Sequence, residues 1–268
     1  MQKGKITFSF GRNWERFLRT SLTEERIQEA QISLMDFLGV HRLDGLTFLD
    51  VGCGSGLFSL AAHQLGARKV TSFDLDPFSV VCCEYLKEHS GNPETWTIRR
   101  GSILDKTFLS QLEQADLVYS WGVLHHTGSM WQAIDNTISL VRPGGMFFVG
   151  LYNKVDGTFG SRFWLRLKRT YNRMPMAAKL VMEYCFLALI VSKMLFAMKN
   201  PISEILNYKK RRGMSFRTDI RDSLGGYPYE YASVEDVFSY CKGRSLELMK
   251  LRTVNNLGLN EFLFRKSM

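Results

Sequence analysis

The sequence predicts an α/β fold: a parallel sheet with helices on both faces, preceded by helices and closed by an antiparallel strand pair. Three observations carry this reading. Short apolar runs alternate with stretches of helical periodicity between residues 46 and 151, the pattern of strand–helix repeats around a parallel sheet. The first run ends in a glycine-rich turn that opens a helix. After Gly226 the alternation gives way to one helix and two closely spaced strands.

In chain order, Trp14–Leu18 and Thr23–Leu38 read as helices; Thr23 with Arg26 is half a capping box, because the expected acid is replaced by arginine. Strands are expected at Leu46–Val51, Lys69–Phe73, Trp96–Arg99, Asp116–Ser120 and Gly145–Leu151. Helices are expected at Ser55–Leu65, Pro77–Glu88 and Met130–Val141. The last helix is Ser233–Tyr240, and the strands Leu246–Thr253 and Glu261–Arg265, joined by Val254-Asn255-Asn256-Leu257-Gly258, are expected to pair antiparallel. The chain divides into an N-terminal helical cap (1–40), a ligand-binding core (41–154), an insertion (155–225) and a closing segment (226–268).

Of the 268 residues, 45% are apolar and 23% charged, which excludes a disordered, collagen-like or disulfide-stapled chain. The five cysteines show no CxxC spacing; neither a zinc cluster nor a disulfide framework is expected, and a reducing cytoplasm suits the composition. Met1-Gln2-Lys3-Gly4-Lys5 lacks the apolar core of a secretion signal. The net charge of +9 is unevenly spread: Leu151–Arg217 carries 14 Lys/Arg against three acids, so it is +11 and the remainder is −2. A near-neutral body with one basic segment is a statement about partners more than about fold.

The most specific signal is Leu49-Asp50-Val51-Gly52-Cys53-Gly54-Ser55-Gly56-Leu57. Glycines let the backbone approach a ligand closely there. A dinucleotide fingerprint, GxGxxG, needs glycine at position 57, where Leu57 stands; the spacing is GxGxG, with Asp50 two residues before the first glycine. An acid beside the turn suits a ligand with an amino group and a sulfonium and disfavours a pyrophosphate. The second strand ends at Phe73-Asp74-Leu75-Asp76, where an acid can accept hydrogen bonds from ribose hydroxyls. Gly101-Ser102-Ile103-Leu104-Asp105 follows the third strand with a polar edge for an adenine amino group, and Tyr119-Ser120-Trp121-Gly122 ends the fourth. Ligands of open α/β sheets bind outside these carboxyl ends.

In this order the motifs resemble those of class I S-adenosylmethionine-dependent methyltransferases: Asp50 through Gly56, then Asp74, then Asp105, then Val123-Leu124-His125-His126, then Leu140-Val141-Arg142-Pro143-Gly144-Gly145. The resemblance covers roughly residues 45–152 and extends to the terminal strand pair, which is similar to the family's reversed hairpin. It implies a Rossmann-like sheet and S-adenosyl-L-methionine as cofactor. By resemblance, Asp50, Gly52, Cys53, Gly54 and Gly56 hold the methionine part, Asp74 with Leu75 the ribose, and Ser102, Ile103 and Asp105 the adenine; Ser120 and Trp121 complete the cofactor site. Asp105 is equally a helix N-cap by type and position. Within the superfamily the chain most resembles small-molecule and lipid methylases of the ubiquinone-biosynthesis type.

The acceptor is narrowed by what is missing. Methylases of exocyclic nucleic-acid amines resemble one another in an Asn/Asp-Pro-Pro-aromatic run after strand four; Ser120-Trp121-Gly122-Val123 stands here. Cytosine C5 methylases need a nucleophilic cysteine in a Pro-Cys setting, and none is present. An oxygen or activated-carbon acceptor remains, so O-methylation is expected, on a quinone-like ring or a glycan precursor. Methyl transfer needs alignment and a proton acceptor. His126 and His125 are the candidates, since an imidazole titrates near neutrality. Trp14, Tyr227, Tyr229 and Glu230 are candidates for the acceptor wall.

In the insertion, Arg162, Arg166, Arg169 and Arg173 fall on one helical stripe with Phe163, Trp164, Leu167 and Tyr171 opposite, the pattern of a membrane-surface helix. Met176–Met198 follows, strongly apolar, but its longest charge-free run is the nine residues Tyr184–Ser192, short of the ~20 that span a bilayer. Three readings stand for this helix: a substrate lid, a peripheral contact through 161–198 at the inner face of the membrane, or a homodimer contact. The expected partner is a small or lipid-linked acceptor. RNA methylation through the basic insertion is the alternative, and a non-catalytic cofactor-binding protein is a second one.

Overall fold

A computed structural model of the chain describes residues 22–212 and 216–268. The expected helix Trp14–Leu18, and Trp14 with it, lie outside the described residues. Seven strands form one sheet: β1 (Thr47–Val51), β2 (Lys69–Asp74), β3 (Trp96–Arg100), β4 (Ala115–Trp121), β5 (Val141–Tyr152), β6 (Leu246–Arg252) and β7 (Leu259–Lys266). Their order is β3-β2-β1-β4-β5-β7-β6. The first five are parallel, with Phe48 opposite both Val70 and Leu117, while β7 runs antiparallel between β5 and β6. The order reverses between β1 and β4, and at such a switch point the connections leave in opposite directions and open a crevice above the strand ends.

Ten helices are described: α1 (Glu24–Leu38), α2 (Leu57–Gln64), α3 (Pro77–His89), α4 (Lys106–Leu109), α5 (Met130–Ser139), α6 (Ser161–Arg173), α7 (Met176–Phe196), α8 (Pro201–Arg212), α9 (Phe216–Gly225) and α10 (Val234–Lys242), with a 3-10 turn at Leu124–His126. Because successive strand residues point to opposite faces, Phe48 packs with α1, α2 and α3 residues such as Phe37, Leu60 and Leu86, and Leu49 packs with α4, α5 and α10 residues such as Phe108, Ile134 and Val237.

Local chemistry sets the boundaries. Thr23 caps α1 alone, accepting from the Arg26 amide at 3.4 Å, as half a capping box does. Ser233 and Asp236 form a full capping box at α10. The helix expected to reach Val141 stops at Ser139, because Val141 is taken by the sheet opposite Ala115; β5 therefore starts earlier than the apolar run suggests.

The insertion folds as four helices, of which only the first two are legible from periodicity. Its small core of Tyr171, Ile220 and Leu224 is separate from the two cores of the sheet. Glu183 of α7 is buried and satisfied there, accepting from the Tyr171 hydroxyl at 2.9 Å and pairing with Arg221 at 3.0 Å. The arginine stripe of α6 faces outward as its spacing predicts, and Tyr171 faces in.

Candidate active site

The glycine turn follows directly from β1. Gly52, Gly54 and Gly56 all have positive φ, at 76°, 54° and 82°, where side chains are strained. A Cβ on Gly52 would also sit 2.4 Å from Val123 Cγ1, and one on Gly56 would sit 2.7 Å from the Cys83 sulfur. The turn thus requires glycine twice over, for its path and for its contacts. Gly52 and Cys53 donate their amides to the Phe73 carbonyl at 2.9 and 3.1 Å, tying the turn to the end of β2.

Asp74, at that strand end, accepts the Gly54 amide at 3.0 Å through one carboxylate oxygen and the Asp76 amide at 2.8 Å through the other. The neighbouring Leu75 side chain is exposed, giving an apolar wall beside the acid. Asp50 is buried, and its carboxylate ends a chain of donors: Trp96 Nε1 donates to Ser72 at 2.9 Å, Ser72 to Ser59 at 2.7 Å, and Ser59 to Asp50 at 2.6 Å. Burial pushes the Asp50 carboxyl up to about 7, opposed by the Ser59 bond, and pushes Asp74 up to about 6, opposed by its backbone amides. Two acids that resist ionisation together favour a cationic ligand. A sulfonium and an ammonium would relieve them, whereas a pyrophosphate would add to the repulsion. The residues present fit S-adenosylmethionine.

The expected adenine edge is more structural. Asp105 caps α4, accepting the Thr107 and Phe108 amides at 2.9 and 3.3 Å. Ser102 accepts the Leu104 amide at 3.2 Å, and Ile103 is buried with its carbonyl bound by Asn136. These contacts shape the β3 exit while leaving the outer lone pairs of Asp105 at its rim.

Two residues at the β4 end are engaged elsewhere. The Ser120 hydroxyl is fully buried and donates to the Val51 carbonyl at 3.1 Å, joining β4 to β1. Trp121 turns away over Gly150, its indole N–H donating to Glu261 of β7 at 2.8 Å. The β4-exit residue that borders the glycine turn is Val123. Its place in a motif is legible in the sequence, but an apolar side chain of ordinary type carries no local sign of that contact.

Beyond Val123 the two histidines adopt opposite arrangements. Nδ1 of His126 lies 2.5 Å from the Pro228 carbonyl, so it carries the proton and the lone pair sits on Nε2. Nδ1 of His125 accepts the Tyr152 amide at 3.3 Å, so its proton sits on Nε2. Burial pushes both below the usual histidine range, His126 to about 4; both are neutral at pH 7. The His125 and Tyr152 rings are 4.0 Å apart, and Tyr152 lies 4.9 Å from Tyr229.

Of the acceptor-wall candidates, Tyr229 is buried in this aromatic group and Tyr227 is half-buried. Glu230 serves the fold instead, since both its carboxylate oxygens accept the Met130 amide at 3.1 Å and so cap α5. Lys168 of α6 is inconspicuous in the sequence among the other cations of the basic insertion. It lies on the inward face with Trp164 and Tyr171, a placement that its spacing of three and four residues from them implies. It is buried, with its ammonium 5.1 Å from the Tyr229 ring. Among the described residues no group of three or more His, Cys, Asp or Glu is placed to hold a metal ion.

The sheet order is that of the Rossmann-like class I S-adenosylmethionine-dependent methyltransferase fold, and residues 49–147 match the family described as a methyltransferase domain. In sequence, the chain is 34% identical over 124 residues to a ubiquinone biosynthesis O-methyltransferase of Methylobacterium sp. (strain 4-46), covering 46% of this chain and 48% of that protein. The chain thus spans about half the length of the curated relatives it matches. Among solved structures, magnesium protoporphyrin IX methyltransferase from Synechocystis PCC 6803 superposes with a TM-score of 0.55 at 14% identity, covering 96% of this chain and 94% of that one. The [4+2]-cyclase SpnF superposes at 0.56 with 12% identity, covering 88% and 80%. At such identities the likeness concerns the fold; the acceptor is a matter for the residues of this chain.

Proposed function

We propose that this protein is an S-adenosylmethionine-dependent O-methyltransferase acting on a small or lipid-linked metabolite, with His126 as the proton acceptor. The reading is supported by the glycine turn, which packs against Val123 and is flanked by two buried, reluctantly ionised acids, and by a neutral His126 three residues beyond Val123 with its proton on Nδ1. When bound, S-adenosylmethionine supplies an electrophilic methyl group that passes to the acceptor oxygen, leaving the electron pair of the carbon–sulfur bond on sulfur. Asp50, Gly52, Cys53, Gly54 and Gly56 receive the methionine part, Asp74 and Leu75 the ribose, and the Ser102–Asp105 edge the adenine, with Val123 closing the pocket on the β4 side. His126 takes the acceptor hydroxyl proton on Nε2, and the Pro228 carbonyl holds the ring in the tautomer this requires.

The test is incubation with methyl-labelled cofactor and a whole bacterial extract, followed by separation of lipid, RNA, protein and aqueous metabolites. Label in lipid or in aqueous metabolites supports the reading. Label in RNA replaces it with the RNA alternative. No label in any fraction, with cofactor bound, favours a protein that only binds.

Docking at an anionic membrane surface is the second part of the proposal. Val181, Tyr184, Leu189 and Leu195 lie along the outward face of α7, each more than half exposed, and Ile202 and Leu206 continue the patch on α8. A helix apolar on both faces is ordinarily covered on both. No helix among the described residues is long and apolar enough to cross a membrane, so the contact is interfacial. The +11 charge of the segment opposes pairing with a second copy and suits anionic headgroups. The protein should sediment with phosphatidylserine-containing vesicles at low salt and be released by added salt. If it stays in the supernatant, the patch belongs to a lid or a dimer, which the oligomeric state in solution then separates.

A further inference from the structure

Two buried groups near the candidate base carry protons for which the described residues offer no acceptor. His125 is fully buried, and its Nε2, which carries the proton, has no hydrogen-bond partner among the described residues. Lys168 is buried at 5% exposure, and the one hydrogen bond of its ammonium among the described residues goes to the Ser223 carbonyl. An ammonium has three protons, and its other contacts are the faces of the Tyr229 and Trp164 rings, at 5.1 and 5.9 Å. Asp222 acts on it through space. Buried donors are ordinarily satisfied and buried charges ordinarily paired.

The two donors belong to one neighbourhood. His125 packs on Tyr152, Tyr152 on Tyr229, and Tyr229 lies under Lys168, so residues from the β4 exit, the β5 end, α6 and the 227–232 segment converge. The positive charge of Lys168 also contributes to keeping both histidines unprotonated. A ligand oxygen bearing negative charge suits either donor, whereas a cationic or purely apolar group would satisfy neither.

Resting on the methyltransferase reading above, we propose that Lys168 and the Nε2–H of His125 form the part of the acceptor site that selects an anionic oxygen, so that the acceptor carries a carboxylate or an acidic hydroxyl. The basic insertion then does more than cover the site: through Lys168 it supplies a specificity-determining charge. His126 stands beside this pair as the group that accepts a proton rather than donates one.

The experiment compares benzoate with its neutral near-isostere benzamide, by titration into the full chain saturated with S-adenosylhomocysteine, which fills the cofactor's own carboxylate site. Benzoate is expected to bind about tenfold tighter or more, as charge-assisted hydrogen bonds do. K168M should abolish the preference and K168R should retain most of it. In 15N-labelled wild-type protein, benzoate should shift the His125 Nε2–H resonance downfield, a readout that needs no variant. Equal binding of the two probes, binding of neither, or a preference that survives in K168M with no His125 shift would overturn the assignment. The methyltransferase reading fails separately: wild-type protein that does not bind S-adenosylhomocysteine sinks that reading, whereas wild-type protein that binds it and shows no benzoate preference sinks only the assignment of Lys168 and His125.

Discussion

The Nδ1 atom of His126 is held 2.5 Å from the carbonyl oxygen of Pro228. A backbone carbonyl cannot donate, so the contact fixes the imidazole tautomer whatever binds on the other side. With burial pushing its titration down to about 4, the ring stays neutral through the physiological range. The C2 proton of His126 should therefore titrate near 4 by NMR. His126→Gln should lower turnover by a factor of about 10²–10⁴, the usual loss of a general base, while cofactor affinity holds. Unchanged turnover in this variant removes His126 as the base.

Asp74 joins the glycine turn to the end of β2 through two backbone amides. Asp74→Ala should lower S-adenosylmethionine affinity by about tenfold or more and cost roughly 1–3 kcal/mol of stability, since two amides lose a charged acceptor. Asp74→Asn should fall between. Isothermal titration with chemical denaturation of both variants checks this, and undiminished affinity in Asp74→Ala refutes the assignment.

Asp50 gives a pH dependence with a definite sign. Its folded value of about 7 lies above its ordinary value of 3.8, so the folded chain holds more protons than the unfolded chain between about pH 4 and 7. Stability from this group is thus lost as pH rises through that window. His126, lowered from 6.5 to about 4, acts in the opposite sense between about pH 4 and 6.5, and His125, also lowered, acts in the same direction as His126. Asp50→Asn, which resembles the protonated acid, isolates the first effect: its stability relative to wild type should rise by about 2 kcal/mol from pH 5 to pH 8. Urea denaturation at the two pH values measures it; a difference independent of pH contradicts the buried-acid account.

Glu230 reaches across from the 227–232 segment to the first amide of α5. Glu230→Ala should cost about 1 kcal/mol, the ordinary loss of a capping acid at a helix N-terminus. Because the carboxylate is engaged on α5, the variant should keep its acceptor KM. A raised KM with unchanged stability would restore Glu230 to the acceptor wall.

The legible parts of this protein are those written locally. Strand–helix alternation, the GxGxG turn and the acids at strand ends are readable because each depends on neighbours in sequence: a period of two or 3.6, a glycine where φ is positive, a carboxylate at the end of a strand. The outward arginine stripe of α6 is readable for the same reason. The boundary at Val141 is not, because a helix of suitable pattern is there overruled by pairing with Ala115.

What only the tertiary structure decided is which polar atoms are already engaged. Sequence places Ser120, Trp121 and Glu230 at the right end of the sheet, but their partners, Val51, Glu261 and Met130, are 69, 140 and 100 residues away. The opposite tautomers of His125 and His126 likewise follow from the Tyr152 amide and the Pro228 carbonyl, which the chain brings back from β5 and from beyond the insertion. The sequence by itself determined the fold and the chemistry at each strand end. Long-range hydrogen bonds, which no local period encodes, decided which of those groups remain to meet a ligand.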